Sequence, residues 1–130
     1  MDRYDKPFPF TKLYKSLTEV LTDHKLAALG DAYINFVYSL ASSLKRGKPS
    51  GAKVKGAVLA EAFKKAGLRK HMPSRVSSHT LADAAEALIV YAWLYGYMPL
   101  DECVAILRNS KDSIEGFTQL LSTIRDRVTF

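Results

Sequence analysis

The chain has a single cysteine, Cys103, in 130 residues, so it can close no internal disulfide and build no cysteine-based zinc site. A reducing interior suits that usage, and the cytoplasm is the expected location. The amino-terminal stretch MDRYDKPFPF lacks an apolar core of signal-peptide length. Long hydrophobic runs are missing too. The most apolar stretch, Thr80 to Leu100, is interrupted by Asp83 and Glu86, which argues against a membrane span. Acid is also in short supply: 13 Asp and Glu stand against 19 Lys and Arg, for a net charge of +6 and a pI near 9.5. Such an excess points to a polyanionic partner and says nothing about fold. No repeat, low-complexity tract or linker divides the chain. Residues 1–130 are therefore expected to form one domain, long enough to bury a core.

No segment alternates with a period of two, and the apolar spacing is helical throughout. The first ten residues, with Pro7 and Pro9, are expected to run extended. Leu13, Leu17, Val20 and Leu21 predict a helix over about Thr11–Asp23, and a second is predicted over about Lys25–Leu44. The RGKPSG segment, residues 46–51, breaks it. A third helix is expected over Ala52–Ala66 with Gly67 in the C′ position. A basic loop follows, and Ser78 or Thr80 is the candidate cap of a fourth helix running to about Tyr95, with Gly96 as its stop. Asp101 or Glu102 starts a fifth, and Lys111–Val128 reads as a sixth. The fold class is thus all-α, a compact bundle of about six helices.

Three carboxylates stand out against that pattern. Asp31 is the only charge in LAALGDAYINFVYSLASSL, and Asp83 and Glu86 are the only charges in LADAAEALIVYAWLY. A helix apolar on nearly every face belongs in the middle of a fold. An ionised carboxylate there costs several kcal/mol unless it is paired or bound to a cation. Asp83 and Glu86, three positions apart, emerge on one helix face and repel each other. If Asp31 joins them, the three would hold Mg²⁺, a hard ion that prefers oxygen donors. Such a site acidifies water and stabilises charge on a phosphoryl oxygen. Two structural readings compete: Asp83 suits the dipole of its helix's first turn, and Asp31 could answer a nearby Lys or Arg.

Two blocks carry a family resemblance. Leu26 to Phe36, LAALGDAYINF, is similar to the LEFLGDA-type motif of the ribonuclease III catalytic domain. Ser78 to Leu94, SHTLADAAEALIVYAWL, is similar to that family's S-x-LAD-x-x-EALIGA pattern. The intervening GKPSGAKVKGAVLAEAFKKAGL resembles its helical stretch closing on Gly-Leu, so order and spacing agree over roughly Leu13 to Ile106. The resemblance implies that Asp31, Asp83 and Glu86 bind Mg²⁺, with Mn²⁺ able to substitute, and that they are catalytic. It further implies hydrolysis of double-stranded RNA to a 5′-phosphate and a 3′-hydroxyl by a homodimer with two sites on one groove. The family usually carries a Glu four residues before the first Asp, where this chain has Ala27, and a further acid aligns with His24. Ala27 cannot bind metal. The Mini-ribonuclease III subgroup also lacks that Glu and a separate double-stranded-RNA-binding domain, and this chain looks most like that subgroup, or an archaeal-type relative of it.

Ten of the 19 basic residues fall between Lys45 and Arg75, opposed only by Glu61. Lys48, Lys53, Lys55, Lys64, Lys65, Arg69, Lys70 and Arg75 are the candidate RNA-contacting set, since duplex RNA is held mostly through its backbone and shape. A merely solvated helix face is the plainer alternative. His24, His71 and His79 show no metal-ligand spacing. His79 could touch RNA but is read first as a cap or packing residue, and His24 is a candidate stand-in for the missing Glu. Cys103 is expected to be an inert buried thiol. Tyr33, Phe36, Val37, Leu40, Tyr91 and Trp93 are expected in the core, with an apolar surplus left for a subunit interface. The leading reading is a Mg²⁺-dependent endoribonuclease acting on structured RNA such as a ribosomal RNA precursor. The alternatives are a non-catalytic RNA-binding or ribosome-associated protein of the same fold, and a helical interaction module with no RNA role.

Overall fold

A computed structural model of the chain describes residues 8–130. The extended course expected for the first ten residues falls outside that range at 1–7. Residues 8–10 form a turn, closed by the Thr11 amide donating to the Phe8 carbonyl at 3.3 Å. Six α-helices follow: α1 (Leu17–Leu21), α2 (His24–Arg46), α3 (Gly56–Lys65), α4 (Ser78–Leu94), α5 (Leu100–Asn109) and α6 (Ser113–Arg127). A single 3-10 turn, Arg69–His71, lies between α3 and α4, and no strand occurs among the described residues. The all-α, six-helix expectation holds.

α4 is the centre of the fold. From Leu81 to Leu94 only Asp83 and Trp93 escape full burial, and Ala84, Ala85, Ala87, Leu88, Ile89, Val90 and Ala92 have no accessible surface. α2 packs along it most extensively, α3, α6 and α1 cover its other sides, and α5 is wedged between α2 and α6. Each fully buried aliphatic side chain stabilises the fold by about 1.5–3 kcal/mol relative to exposure. The run of small and aliphatic residues on α4 is therefore what carries Glu86 into the interior, with Asp83 at its edge.

Cap chemistry explains where these helices start. Asp23 accepts from the amides of Lys25 and Leu26, both at 3.0 Å, and Asp112 accepts from Glu115 at 2.9 Å. The cap of α4 is Ser77, which accepts from the Thr80 amide at 3.1 Å, and not Ser78 or Thr80. Gly47, Gly67 and Gly96 close α2, α3 and α4 with φ of 73°, 76° and 80°, the left-handed turn that a side chain would strain.

Two helices are shorter than their spacing predicts. α1 spans five residues where Thr11–Asp23 was expected. Ser16 caps it, and the preceding stretch is held by tertiary contacts: the Tyr95 hydroxyl accepts from the Lys12 amide at 3.0 Å and also donates to the Lys12 carbonyl. Tyr14 is buried edge-on against Tyr91 and Tyr95. α3 begins at Gly56, not Ala52. Residues 50–54 run extended instead, because side chains of α2 take up their backbone groups. Phe36 is a further correction, being 55% exposed where a core position was expected, while Tyr33, Val37 and Tyr91 are buried and Leu40 and Trp93 half-buried.

Candidate active site

α2 and α4 touch backbone to backbone at one point. A Cβ built on Gly30 would lie 2.1 Å from the Glu86 carbonyl oxygen and 2.5 Å from its carbon. Only glycine fits at this crossing, and its closeness sets Asp31, the next residue, against Glu86 on the neighbouring helix. The Gly-Asp pair in the LGDA block thus sets a packing glycine and a candidate site residue side by side.

Asp31, Asp83 and Glu86 all line one cleft of about 470 Å³, together with His24, Ala27, Lys53 and His79. Glu86 is its buried member at 8% exposure, whereas Asp83 is 30% exposed and Asp31 lies at the surface. Glu86 shares the cleft with Asp31 and Asp83, and both act on its carboxyl. Burial first, and then those two carboxylates, push its carboxyl from 4.5 up to about 8. Asp31 and Asp83 flank this hub from separate helices. Among the described residues, no group of three or more His, Cys, Asp or Glu side chains is drawn in to metal-ligating spacing. The convergence is a shared cleft with Glu86 at its base, not a closed cage.

The donor set is uniform in chemistry. None of the three carboxylates is ion-paired with Lys or Arg among the described residues; the single partner is His79, whose Nε2 lies 3.6 Å from Asp83 Oδ2. Carboxylate oxygens lining one cleft without lysine or arginine partners are the donor chemistry that a hard divalent cation prefers. Ala27 walls the cleft where the usual Glu would project, and His24 stands on the same wall. His79 neither caps nor packs: its side chain is 86% exposed at the rim.

Sequence reasoning missed Asn35, one helical turn beyond Asp31. Its Nδ2 donates to the Asp31 carbonyl at 2.9 Å and to Asp31 Oδ1 at 3.3 Å, while its Oδ1 accepts from the Val54 amide at 2.8 Å. The i, i+4 spacing from Asp31 was the available signal. The basic candidates scatter over three places. Lys48, Lys53 and Lys55 lie exposed on the α2–α3 connection, and of these Lys53 reaches the cleft. Lys64 and Lys65 are exposed in the last turn of α3, Lys64 beside Glu61 at 3.6 Å. Lys70 and Arg75 are exposed, and Arg69 donates to the carbonyls of Pro73 and Ser74 at 2.9 and 2.7 Å, which shapes the loop before α4. Cys103 is fully buried, its thiol pushed up to about 12 by burial, which keeps it unreactive.

Helices wrapped about a buried central helix, with oxygen donors gathered where its neighbour crosses it, describe an all-helical protein with an acidic, cation-compatible cleft. Residues 24–128 match the family model for Ribonuclease III, and the chain belongs to that family. It is a family of endoribonucleases acting on double-stranded RNA, generally with divalent metals. No match was found among curated proteins. Among the described residues no helix is long and apolar enough to cross a membrane.

Proposed function

We propose that this chain is a Mg²⁺-dependent endoribonuclease cleaving double-stranded or structured RNA, such as a ribosomal RNA precursor, in the cytoplasm, with Mn²⁺ as an alternative ion. The observation that carries the reading is that Asp31, Asp83 and Glu86, from two helices, line one open cleft and, among the described residues, make no ion pair with Lys or Arg. These three would hold the ion, with Glu86 giving up its proton to do so. When bound, a divalent cation stabilises charge on a phosphoryl oxygen and lowers the pKa of a water. Water attacks phosphorus, the bond to the 3′-oxygen breaks, and the products are a 5′-phosphate and a protonated 3′-hydroxyl. Asp31 and Asp83, being more exposed than Glu86, are the carboxylates a substrate phosphate meets first. Lys53 in the cleft wall supplies positive charge to the RNA backbone, and the other exposed lysines and arginines between Lys48 and Arg75 extend that surface. The absent acid at Ala27 is shared with the Mini-ribonuclease III subgroup, which supports placing the chain there.

Incubation of the purified protein with a duplex RNA and Mg²⁺ or Mn²⁺ is expected to yield products with 5′-phosphate ends, and Asp83→Asn is expected to yield none. Intact RNA in both metals would overturn the nuclease reading in favour of an RNA-binding protein of this fold. In the same preparation Lys53→Glu with Lys55→Glu is expected to weaken duplex binding and flatten its salt dependence. Unchanged binding and slope would place the RNA surface elsewhere.

We also propose a homodimer. Leu29, Phe36 and Leu44 are exposed at 40%, 55% and 49%, and at positions 29, 36, 40 and 44 with half-buried Leu40 they form one stripe along α2. A two-fold axis on that stripe would cover it. Sedimentation of the wild type at micromolar concentration is expected to give a dimer, and Phe36→Glu a monomer; a monomeric wild type would refute the pairing.

A further inference from the structure

The extended segment between α2 and α3 is bound by a side-chain ladder. Asn35, Ser39 and Ser43 stand one turn apart along α2 and meet alternate residues, Val54, Ala52 and Ser50, of the segment running past them. Ser39 Oγ accepts from the Ala52 amide at 2.9 Å and donates to the Ala52 carbonyl at 3.1 Å. Ser43 Oγ accepts from the Ser50 amide at 2.9 Å and lies 3.1 Å from the Ser50 carbonyl oxygen. Asn35 accepts from the Val54 amide at 2.8 Å. The helical repeat of four on one side thus matches the strand repeat of two on the other. Lys53, between the last two anchored residues, lines the acidic cleft. A one-residue slip of the segment would move that lysine out of register with the carboxylates.

Asn35 differs from the two serines in facing both ways. Its carbonyl end holds the segment, while its amide end donates to Asp31 Oδ1 at 3.3 Å. The donor and acceptor partners leave the amide a single satisfied orientation.

We propose that Asn35 is a positioning residue that locks the Asp31 carboxylate and the Lys53-bearing segment into one register, so that acid and cation act on the same phosphodiester of the RNA backbone. The inference rests on the nuclease reading above and adds to it the means by which a lysine on a connecting segment is aimed. Asp31 is fixed through one oxygen and keeps the other for the cleft. Lys53 is fixed through its neighbours and, among the described residues, not through an ion pair of its own, which leaves its ammonium available to phosphate.

The test is a double-mutant cycle on duplex RNA cleavage in Mg²⁺, with amide exchange of Val54 in the metal-free protein as a second readout. Lys53→Ala is expected to slow cleavage by about a hundred-fold, the scale of losing one aimed charge contact in a transition state. In the Asn35→Ala chain, Lys53→Ala is expected to cost less than about threefold, because the lysine is no longer aimed. Losses that multiply would overturn the proposal. The Val54 amide is expected to exchange about tenfold faster in Asn35→Ala, the scale of one hydrogen bond lost. Asn35→Asp keeps an acceptor for Val54 and loses the donor to Asp31, so it should retain Val54 protection while lowering kcat with KM nearly unchanged. It also serves if Asn35→Ala does not fold. Asn35→Asp with wild-type kcat would sink the link to Asp31. The nuclease reading has its own control: cleavage by Asp83→Asn at the wild-type rate refutes that reading and this proposal with it. An inactive Asp83→Asn combined with multiplying Asn35 and Lys53 losses refutes only the proposal.

Discussion

Replacing Glu86 with glutamine is expected to abolish cleavage and stabilise the protein at alkaline pH. Under the proposed function Glu86 helps hold a divalent ion, so its loss would remove several kcal/mol of charge stabilisation, and each 1.36 kcal/mol is tenfold in rate. A fall of at least about a thousand-fold is therefore expected. Stability moves the other way because the carboxyl of Glu86 is raised from 4.5 to about 8 by burial and by its two acidic neighbours. Between those values the folded chain holds a proton that the unfolded chain has released. The stability this group contributes is thus fully present below about pH 4.5 and is lost as pH rises through about 8. Glutamine removes the ionisation and keeps the shape. The wild type should lose on the order of a few kcal/mol across that window in metal-free buffer, and Glu86→Gln should lose less. Mg²⁺ favours the ionised carboxylate, so its stabilising effect on the wild type should grow toward pH 8. Denaturant midpoints at pH 5 and pH 8.5, with and without Mg²⁺, give the test; parallel pH profiles for the two proteins would show that Glu86 does not titrate as described.

The largest loss of stability is expected at Gly30. Alanine there places a Cβ 2.1 Å from the Glu86 carbonyl oxygen, and both sides of that contact are helix backbone with no flexible side chain to swing away. α2 and α4 would have to part by roughly 1 Å along the most extensive helix interface in the molecule. Overpacking of this kind costs about 3 kcal/mol, or roughly 10 °C in melting temperature for a chain of this size. The same separation draws Asp31 away from Glu86, so cleavage should fall beyond what the lost folded fraction explains. A Gly30→Ala protein that melts within about 2 °C of the wild type would show that the crossing is looser than the geometry states.

The sequence made the helices and the two acidic blocks legible for one reason: α4 is buried on all sides, so its apolar composition leaves Asp83 and Glu86 conspicuous. That Asp31 shares a cleft with them cannot be read from spacing, because it depends on a glycine contact between helices about fifty residues apart in sequence. The extended course of residues 50–54 was illegible for a related reason. GAKVKGAVLAEAF has helical spacing, and only tertiary hydrogen bonds from Asn35, Ser39 and Ser43 turn its first part into an extended segment. Phe36 was placed in the core because periodicity identifies an apolar face without saying what covers it. Tyr95 is the converse case. Read as part of a helix end, it proves to be the clamp that ends helical structure before Ser16, through a hydroxyl that no local pattern reveals.

The central position of α4 has one more consequence. Glu86, the buried member of its acid pair, is carried by a helix that four others pack against, drawn from both halves of the chain. Moderate heating that loosens the periphery should leave the pair in place, and inactivation should coincide with collapse of the whole tertiary structure. Durability of the chemistry and durability of the architecture are, in this molecule, a single property.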